Sequence, residues 1–205
     1  VASDEFRVKC LFAAKVRLMR CSRFVNKHPE NSLRIRWLKH VFPDALFIHV
    51  IRDGRAVAYS NFVRSCEDPF RTKWPFGQFP KPPNWRQYLN APRLEQFAHQ
   101  WVDIVQYIQR TAHEVLNPEA YREVRYEAFC SDPHATLNEL DHFCGLGSSR
   151  RNFKQTPVKL TPRNEKWKRL PVAEVARIEA ILGRCNEQLG YRHSSVSQIP
   201  QRSVA

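Results

Sequence analysis

"FPDALFIHVIRDGRAVAYS", residues 42 to 60, is the stretch on which the fold turns. The apolar run Ala45 to Ile51 lacks clean alternation, which predicts a central parallel strand covered on both faces. It stops at Arg52-Asp53-Gly54-Arg55, and a helical pattern follows at once. Asp53 suits the N-cap of that helix, since its carboxylate can accept a first-turn backbone N–H; the helix is expected to run to about Ser65. In open parallel sheets, ligands bind beyond the carboxyl ends of the strands. A helix starting there aims unpaired N–H groups and a positive dipole end at them. Arg52 then offers an anion a planar fork of donors. Gly54 would let the anion approach the backbone. Ser60, close to two turns past the cap, faces roughly the direction of Asp53 and could add a hydroxyl. A purely structural reading fits equally: Arg52 paired with a carboxylate such as Asp53 or Glu127, and Ser60 permitting close packing.

Working outward, residues 5 to 20 read as an amphipathic helix with Phe6, Leu11, Phe12 and Val16 near one face. "RFVNK" (23–27) is a short strand candidate ended by Pro29, after which Asn31 or Ser32 can cap a helix over 33–42. Residues 69 to 92 break regular structure with six prolines and carry six aromatics, the pattern of a functional loop or an ordered excursion over the core. A long helix is predicted from Leu94 to Leu116, its buried stripe formed by Leu94, Phe97, Trp101, Ile104, Ile108 and Val115. "REVRYEAF" (122–129) follows as a strand. Asp132 caps the next helix, Pro133 takes its first position and Gly145 stops it. Residues 161–170 form a basic loop, and a last helix spans Val172 to Leu189. This order argues for an α/β fold, a parallel β-sheet flanked by helices. One domain over residues 1–191 and a polar tail over 192–205 are expected.

At 205 residues the chain is long enough for a real core, and its 42% apolar content is ordinary for a folded globule. The net charge of +13 predicts attraction to polyanions without saying which. The six cysteines form no CxxC pair and no zinc-type spacing, so free thiols and no metal are expected. No Asn-x-Ser/Thr acceptor, signal peptide or membrane-length apolar run occurs, which favours a cytoplasmic setting over a secretory one without fixing the compartment. The chain begins at Val1, and no glycine precedes Gly54 to build a glycine-rich phosphate loop. Both features predict a sequence incomplete at its N-terminus.

The segment 42–60 resembles the 3′-phosphate-binding segment of sulfotransferases that use 3′-phosphoadenosine 5′-phosphosulfate (PAPS). "RFVNKHPENSLRIRWLKHVFPDA" is similar to the region just upstream in that family. "EVRYEAFCSDPHATLNELDHFCGL" resembles its "RYEDL…DP…TL…FLGL" segment, and "PRNEKWKRL" with the helix ending "LGY" resembles its basic loop and closing helix. Four segments in order, over roughly residues 23 to 191, carry the resemblance. It implies a P-loop-NTPase-like sulfotransferase fold that lacks the N-terminal strand and phosphosulfate loop.

The resemblance also implies roles. Arg52 and Ser60 would hold the 3′-phosphate of PAPS, the co-substrate, and Tyr126 would lie near the adenine. Arg163, Lys166 and Lys168 would belong to a loop closing over the phosphates. Lys27 matches a lysine near the transferred group, and His28 beside it is the weaker candidate for the base. His49, mid-strand, reads as a packed core histidine. The implied reaction is sulfuryl transfer to a hydroxyl or amine acceptor, with the proline- and aromatic-rich stretch on the acceptor side. The loop that cradles the 5′-phosphosulfate has no counterpart, so either the protein is longer or this chain is a relative that does not catalyse. Two rivals remain. A nucleic-acid-binding module would use the charge and aromatics, though no module signature appears and no nucleic-acid partner is expected. A nucleotide kinase would need a Gly-x-x-x-x-Gly-Lys-Ser/Thr loop, which is absent.

Overall fold

The computed structural model describes residues 2–64, 79–146, 160 and 163–191. The described residues are mixed α/β: seven α-helices and a sheet of two parallel strands. Strand β1 (Phe47–Ile51) pairs with β2 (Tyr121–Arg125) in register from Phe47 opposite Tyr121 to Ile51 opposite Arg125. Parallel neighbours need a long crossover. Here it carries α3 (Gly54–Arg64) and the 23-residue α4 (Arg93–Val115). Upstream of the sheet lie α1 (Ala2–Leu18) and α2 (Ile35–Val41); α5 (Tyr126–Ser131), α6 (Pro133–Phe143) and α7 (Val172–Gln188) follow it.

The core is a helical layer on one face of the sheet. Leu94, Phe97, Ala98, Trp101 and Val105 of α4 pack with Ile51, with Ala56 and Ala58 of α3, and with Val175, Ile178, Leu182 and Cys185 of α7. A second cluster joins Ile35 of α2 to Ile108, Ala112 and Leu116, with Phe47 and Tyr121 against it. The predicted α4 stripe is therefore the spine of the molecule, with Ile104 and Val115 at its half-buried margin. Asp53 and Asp132 cap as expected: Asp53 Oδ1 accepts from Arg55 N at 2.9 Å and Asp132 Oδ1 from Ala135 N at 2.9 Å. Five cysteines (10, 21, 130, 144 and 185) are free thiols, and Cys66 lies outside the described residues.

Four expectations need correction. Residues 23–27 form no strand; all five are exposed in an irregular segment, and Phe24 instead packs on Phe12 with ring centroids 4.5 Å apart. β1 is covered on one face only, with Ile48 41% and Val50 60% exposed. The second strand ends at Arg125, where β1 runs out of partners, so Tyr126 opens α5. In α1, Phe12 and Val16 are half-buried but Phe6 and Leu11 face solvent. A smaller difference is the entry to α2: a 3-10 turn over Pro29–Leu33 precedes it, capped by His28, and neither Asn31 nor Ser32 caps the helix. The last helix also breaks at Gly183, whose φ of 32° and ψ of −128° fall where side-chain-bearing residues rarely go. No atom within 4 Å would oppose a Cβ there, so this glycine answers to backbone geometry alone. Residue 65 at the expected end of α3, residues 69–78 of the proline- and aromatic-rich stretch, residues 161–162 of the basic loop and the tail 192–205 lie outside the described residues.

Candidate functional site

β1 delivers Arg52 to the carboxyl end of the sheet, and three further segments meet it there. Arg52 Nε donates to Asn164 Oδ1 and Nη2 to the Arg163 carbonyl, both at 2.9 Å. The guanidinium lies 4.5 Å from the ring centroid of Tyr126, at the start of α5. Among the described residues no carboxylate pairs with the half-buried Arg52. The Tyr126 phenol has its pKa raised by its hydrogen bond to Cys130 and by burial, against the opposing pull of the Arg52 and Arg163 charges. Three residues named from the sequence, Arg52, Tyr126 and Arg163, are thus brought together.

Asn164 and Glu127 knit this corner, and neither was named as a site residue from the sequence. Asn164 turns its oxygen to Arg52 and its Nδ2 to Glu127 Oε1 at 2.6 Å. The same Oε1 accepts from Asp53 N at 3.2 Å, and Oε2 accepts from the Tyr191 hydroxyl at 2.8 Å. One carboxylate so ties the β1–α3 junction, α5, the basic segment and the residues that follow α7. Burial, with the Glu127 hydrogen bond, pushes the Tyr191 phenol well above its ordinary range and keeps it a donor.

The start of α3 is not an open anion cradle. Asp53 N is taken by Glu127, Gly54 N by Asn186 Oδ1 at 3.1 Å and Arg55 N by Asp53. Nor does Gly54 clear a path for a ligand. A Cβ there would sit 2.5 Å from Leu182 Cδ2 and 2.8 Å from Trp101 Cε3. The glycine lets α3 meet α4 and α7, which is why it follows the strand so closely. Arg55 is buried, with Nη2 2.7 Å from Asp53 Oδ2 and Nη1 2.7 Å from Glu179 Oε1. Burial opposes its charge, but the two carboxylates more than offset that and raise its pKa. Its guanidinium also lies 4.4 Å from the ring centroid of Trp167.

The remaining named residues are more dispersed. Ser60 is half-buried in α3, and no hydrogen bond joins it to Arg52. Lys166 is exposed in the 3-10 turn Lys166–Arg169, while Lys168 pairs with Glu165 at 2.7 Å. Lys27 is exposed, and His28 Nδ1 accepts from Glu30 N at 3.4 Å. That bond occupies the nitrogen lone pair a base would use. His49 is buried, with Nδ1 2.8 Å from the Tyr121 hydroxyl, which itself donates to Glu123 Oε1 at 2.8 Å. Beyond His28, a cleft of about 210 Å³ opens between Glu30, Leu33 and Arg34 and the loop Phe79, Pro80 and Lys81. Among the described residues no group of acidic, histidine or cysteine side chains is arranged to hold a metal.

A profile described as "Sulfotransferase family" matches residues 5–149, which takes in the strand-to-helix junction and β2. The chain belongs to the sulfotransferase family. Over 140 residues it is 27% identical to the omega-hydroxy-beta-dihydromenaquinone-9 sulfotransferase Stf3 of Mycobacterium tuberculosis, covering 66% of this chain and 32% of that protein. The Mycobacterium bovis protein of the same name matches equally. Over 107 residues it is 30% identical to carbohydrate sulfotransferase 5 of Mus musculus, covering 42% of this chain and 27% of the relative. The chain thus spans about a third of the length of the curated relatives it matches. No solved structure matches at comparable stringency. The family's mixed α/β fold is the one described above, and no helix among the described residues is long and apolar enough to cross a membrane.

Proposed function

We propose that this chain carries the donor-nucleotide side of a sulfotransferase that moves a sulfuryl group from PAPS to a hydroxyl or amine acceptor. One observation supports the reading: Arg52 at the tip of β1, paired with no carboxylate among the described residues, lies over the Tyr126 ring beside the Arg163 backbone. The donor set suits a phosphorylated nucleoside. An aromatic face, a planar guanidinium and the backbone of the exposed Arg163 meet at one sheet end, with the exposed Lys166 three residues further along the same segment. With the α3 donors internally satisfied, side chains rather than that helix terminus would hold the 3′-phosphate, and Ser60 is the hydroxyl assigned to help them.

Sulfuryl transfer, like phosphoryl transfer, asks for an in-line acceptor and cations where charge builds on the departing oxygen. The residues at Arg52 serve binding and orientation, which in general supplies several kcal/mol of the barrier. Lys27 is the residue assigned to the transferred group. The acceptor is a hydroxylated molecule entering beside residues 79–81. A small cleft lined by apolar (Leu33, Phe79, Pro80) and charged (Glu30, Arg34, Lys81) residues suits only the end of such a molecule. The related proteins named for a hydroxylated menaquinone derivative and for carbohydrate bracket the two acceptor chemistries to try first.

A thermal-shift titration with adenosine 3′,5′-bisphosphate tests the reading. At a hundredfold excess over Kd, the ligand should add about 2.7 kcal/mol and raise Tm by roughly 5–10 °C. Arg52→Ala should remove most of that shift. An unchanged wild-type Tm at saturating nucleotide would sink the assignment.

A further inference from the structure

The Asp53–Arg55–Glu179 cluster lies behind the candidate site, and the nucleotide reading gives it no task. Three charged side chains are buried together there, Arg55 at 6%, Asp53 at 6% and Glu179 at 9% exposure. Well-packed apolar residues of similar size would serve stability as well or better, so an ion triad in such a place calls for another reason. The reason lies in what Arg55 touches. Its fork is held edge-on by two carboxylates, leaving one face of the guanidinium for the Trp167 ring at 4.4 Å. Trp167 is 4% exposed and is flanked on both sides by charged residues, with Leu170 the other buried apolar residue of the segment.

Residues 163–170 have little to hold themselves in place. A single 3-10 turn is their only regular structure, and Arg163, Lys166 and Arg169 are exposed. Leu170 and Trp167 are buried in the apolar core, and two side-chain anchors hold the part of the segment that carries the cations. Asn164 bridges Arg52 and Glu127, and Trp167 is clasped by Arg55. Both anchors end on the same strand-to-helix junction, three residues apart in sequence. We propose that Arg55 is a positioning residue for the donor nucleotide: fixed by Asp53 and Glu179, it clamps Trp167 and so presents Arg163 and Lys166 beside Arg52. The proposal rests on the nucleotide reading above and adds a residue that never touches the ligand. Lysine cannot substitute, because an ammonium lacks the planar face that stacks on an indole while donating sideways to two carboxylates.

The test uses the full chain and two variants. Arg55→Lys keeps the buried positive charge but loses the planar face; Asn164→Ala removes the second anchor from a half-buried position. Amide hydrogen exchange of residues 163–170 is measured in the free protein, with α4 as the internal reference. The Kd for adenosine 3′,5′-bisphosphate is measured by calorimetry well below Tm. In Arg55→Lys, exchange in 163–170 should rise about tenfold with α4 protection little changed. Kd should weaken about tenfold, the loss expected when two long side chains must be ordered on binding instead of beforehand. Asn164→Ala should do the same, and the two variants combined should cost less than the sum, since either frees the same segment. Unchanged exchange in Arg55→Lys would overturn the clamp. Raised exchange with an unchanged Kd would overturn its role in binding. If the wild type binds no nucleotide while Arg55→Lys still frees the segment, the nucleotide reading fails and the clamp is only structural.

Discussion

The junction of β1 with α3 and the N-terminal portion of the chain are written in the same residue types, yet they behave as opposites. From Arg52 to Arg55, backbone and side-chain donors find acceptors on α5, α7 and the basic segment, and the glycine is packed against Trp101 and Leu182. From α1 to residue 28, apolar and basic residues are just as dense, but Phe6, Leu11, Leu18, Met19 and Val25 are each more than 60% exposed. The uncovered face of β1, with Ile48 and Val50, belongs with them. Composition does not separate the two regions. Whether partners converge from distant parts of the sequence does, and at the junction they arrive from more than 100 residues away.

The largest expected effect breaks that convergence. Arg55→Ala removes the guanidinium that pairs with Asp53 and Glu179 and leaves the Asp53 carboxylate buried without it. Such a half-pair costs about 3–5 kcal/mol. Urea unfolding at neutral pH should show the loss as a lower midpoint with an unchanged slope. A loss under about 1 kcal/mol would mean the triad is wetter than its burial indicates.

A smaller effect lies on the covered face of the sheet. The His49 imidazole, 3.7 Å from Glu123 Oε1, together with hydrogen bonds from Gln109 and Tyr121, holds the Glu123 carboxyl down at about 2, against an ordinary 4.5. A depressed carboxylate contributes stability that is whole above the unfolded pKa and fades as pH falls through the folded one. Wild type should therefore exceed Glu123→Gln at pH 7, with the gap closing from pH 4.5 toward 2. Glu123 is partly exposed, so the gap should be no more than about 1 kcal/mol. Denaturant midpoints at several pH values measure it, and a gap that persists unchanged at the acid end would remove the Glu123 network as its source.

Local signals were legible in the sequence where local rules govern. The α4 stripe follows from a 3.6-residue period, and the Asp53 and Asp132 caps follow from side-chain chemistry. Arg52 came from its place at the strand end and from the resemblance, Tyr126 and Arg163 from the resemblance alone, and the three meet at one corner. What stayed hidden depends on neighbours. Nothing in "RDGR" tells which arginine faces outward and which is buried under Trp167. Nothing near Asn164 or Glu127 announces that one amide and one carboxylate close a ring around residue 53. The strand over 23–27 failed for the same reason: β-branched and aromatic residues favour a sheet only beside a strand, and no described strand lies there.

The smallest expected effect tests the exposed side of the comparison. Leu11 and Leu182 are the same residue in helices of equal length, at 67% and 1% exposure. Truncating Leu182 to alanine empties a site between α3, α4 and α7 and should cost about 2–5 kcal/mol. Leu11→Ala removes little buried surface and puts the best helix former on a solvent-facing position, so the change should stay within about 0.5 kcal/mol. In Tm that is roughly 1–2 °C, measurable by differential scanning fluorimetry on the two variants side by side. If Leu11→Ala costs as much as Leu182→Ala, the helix is covered in solution, and the contrast between the two regions is one of missing contacts rather than of partners that never converge.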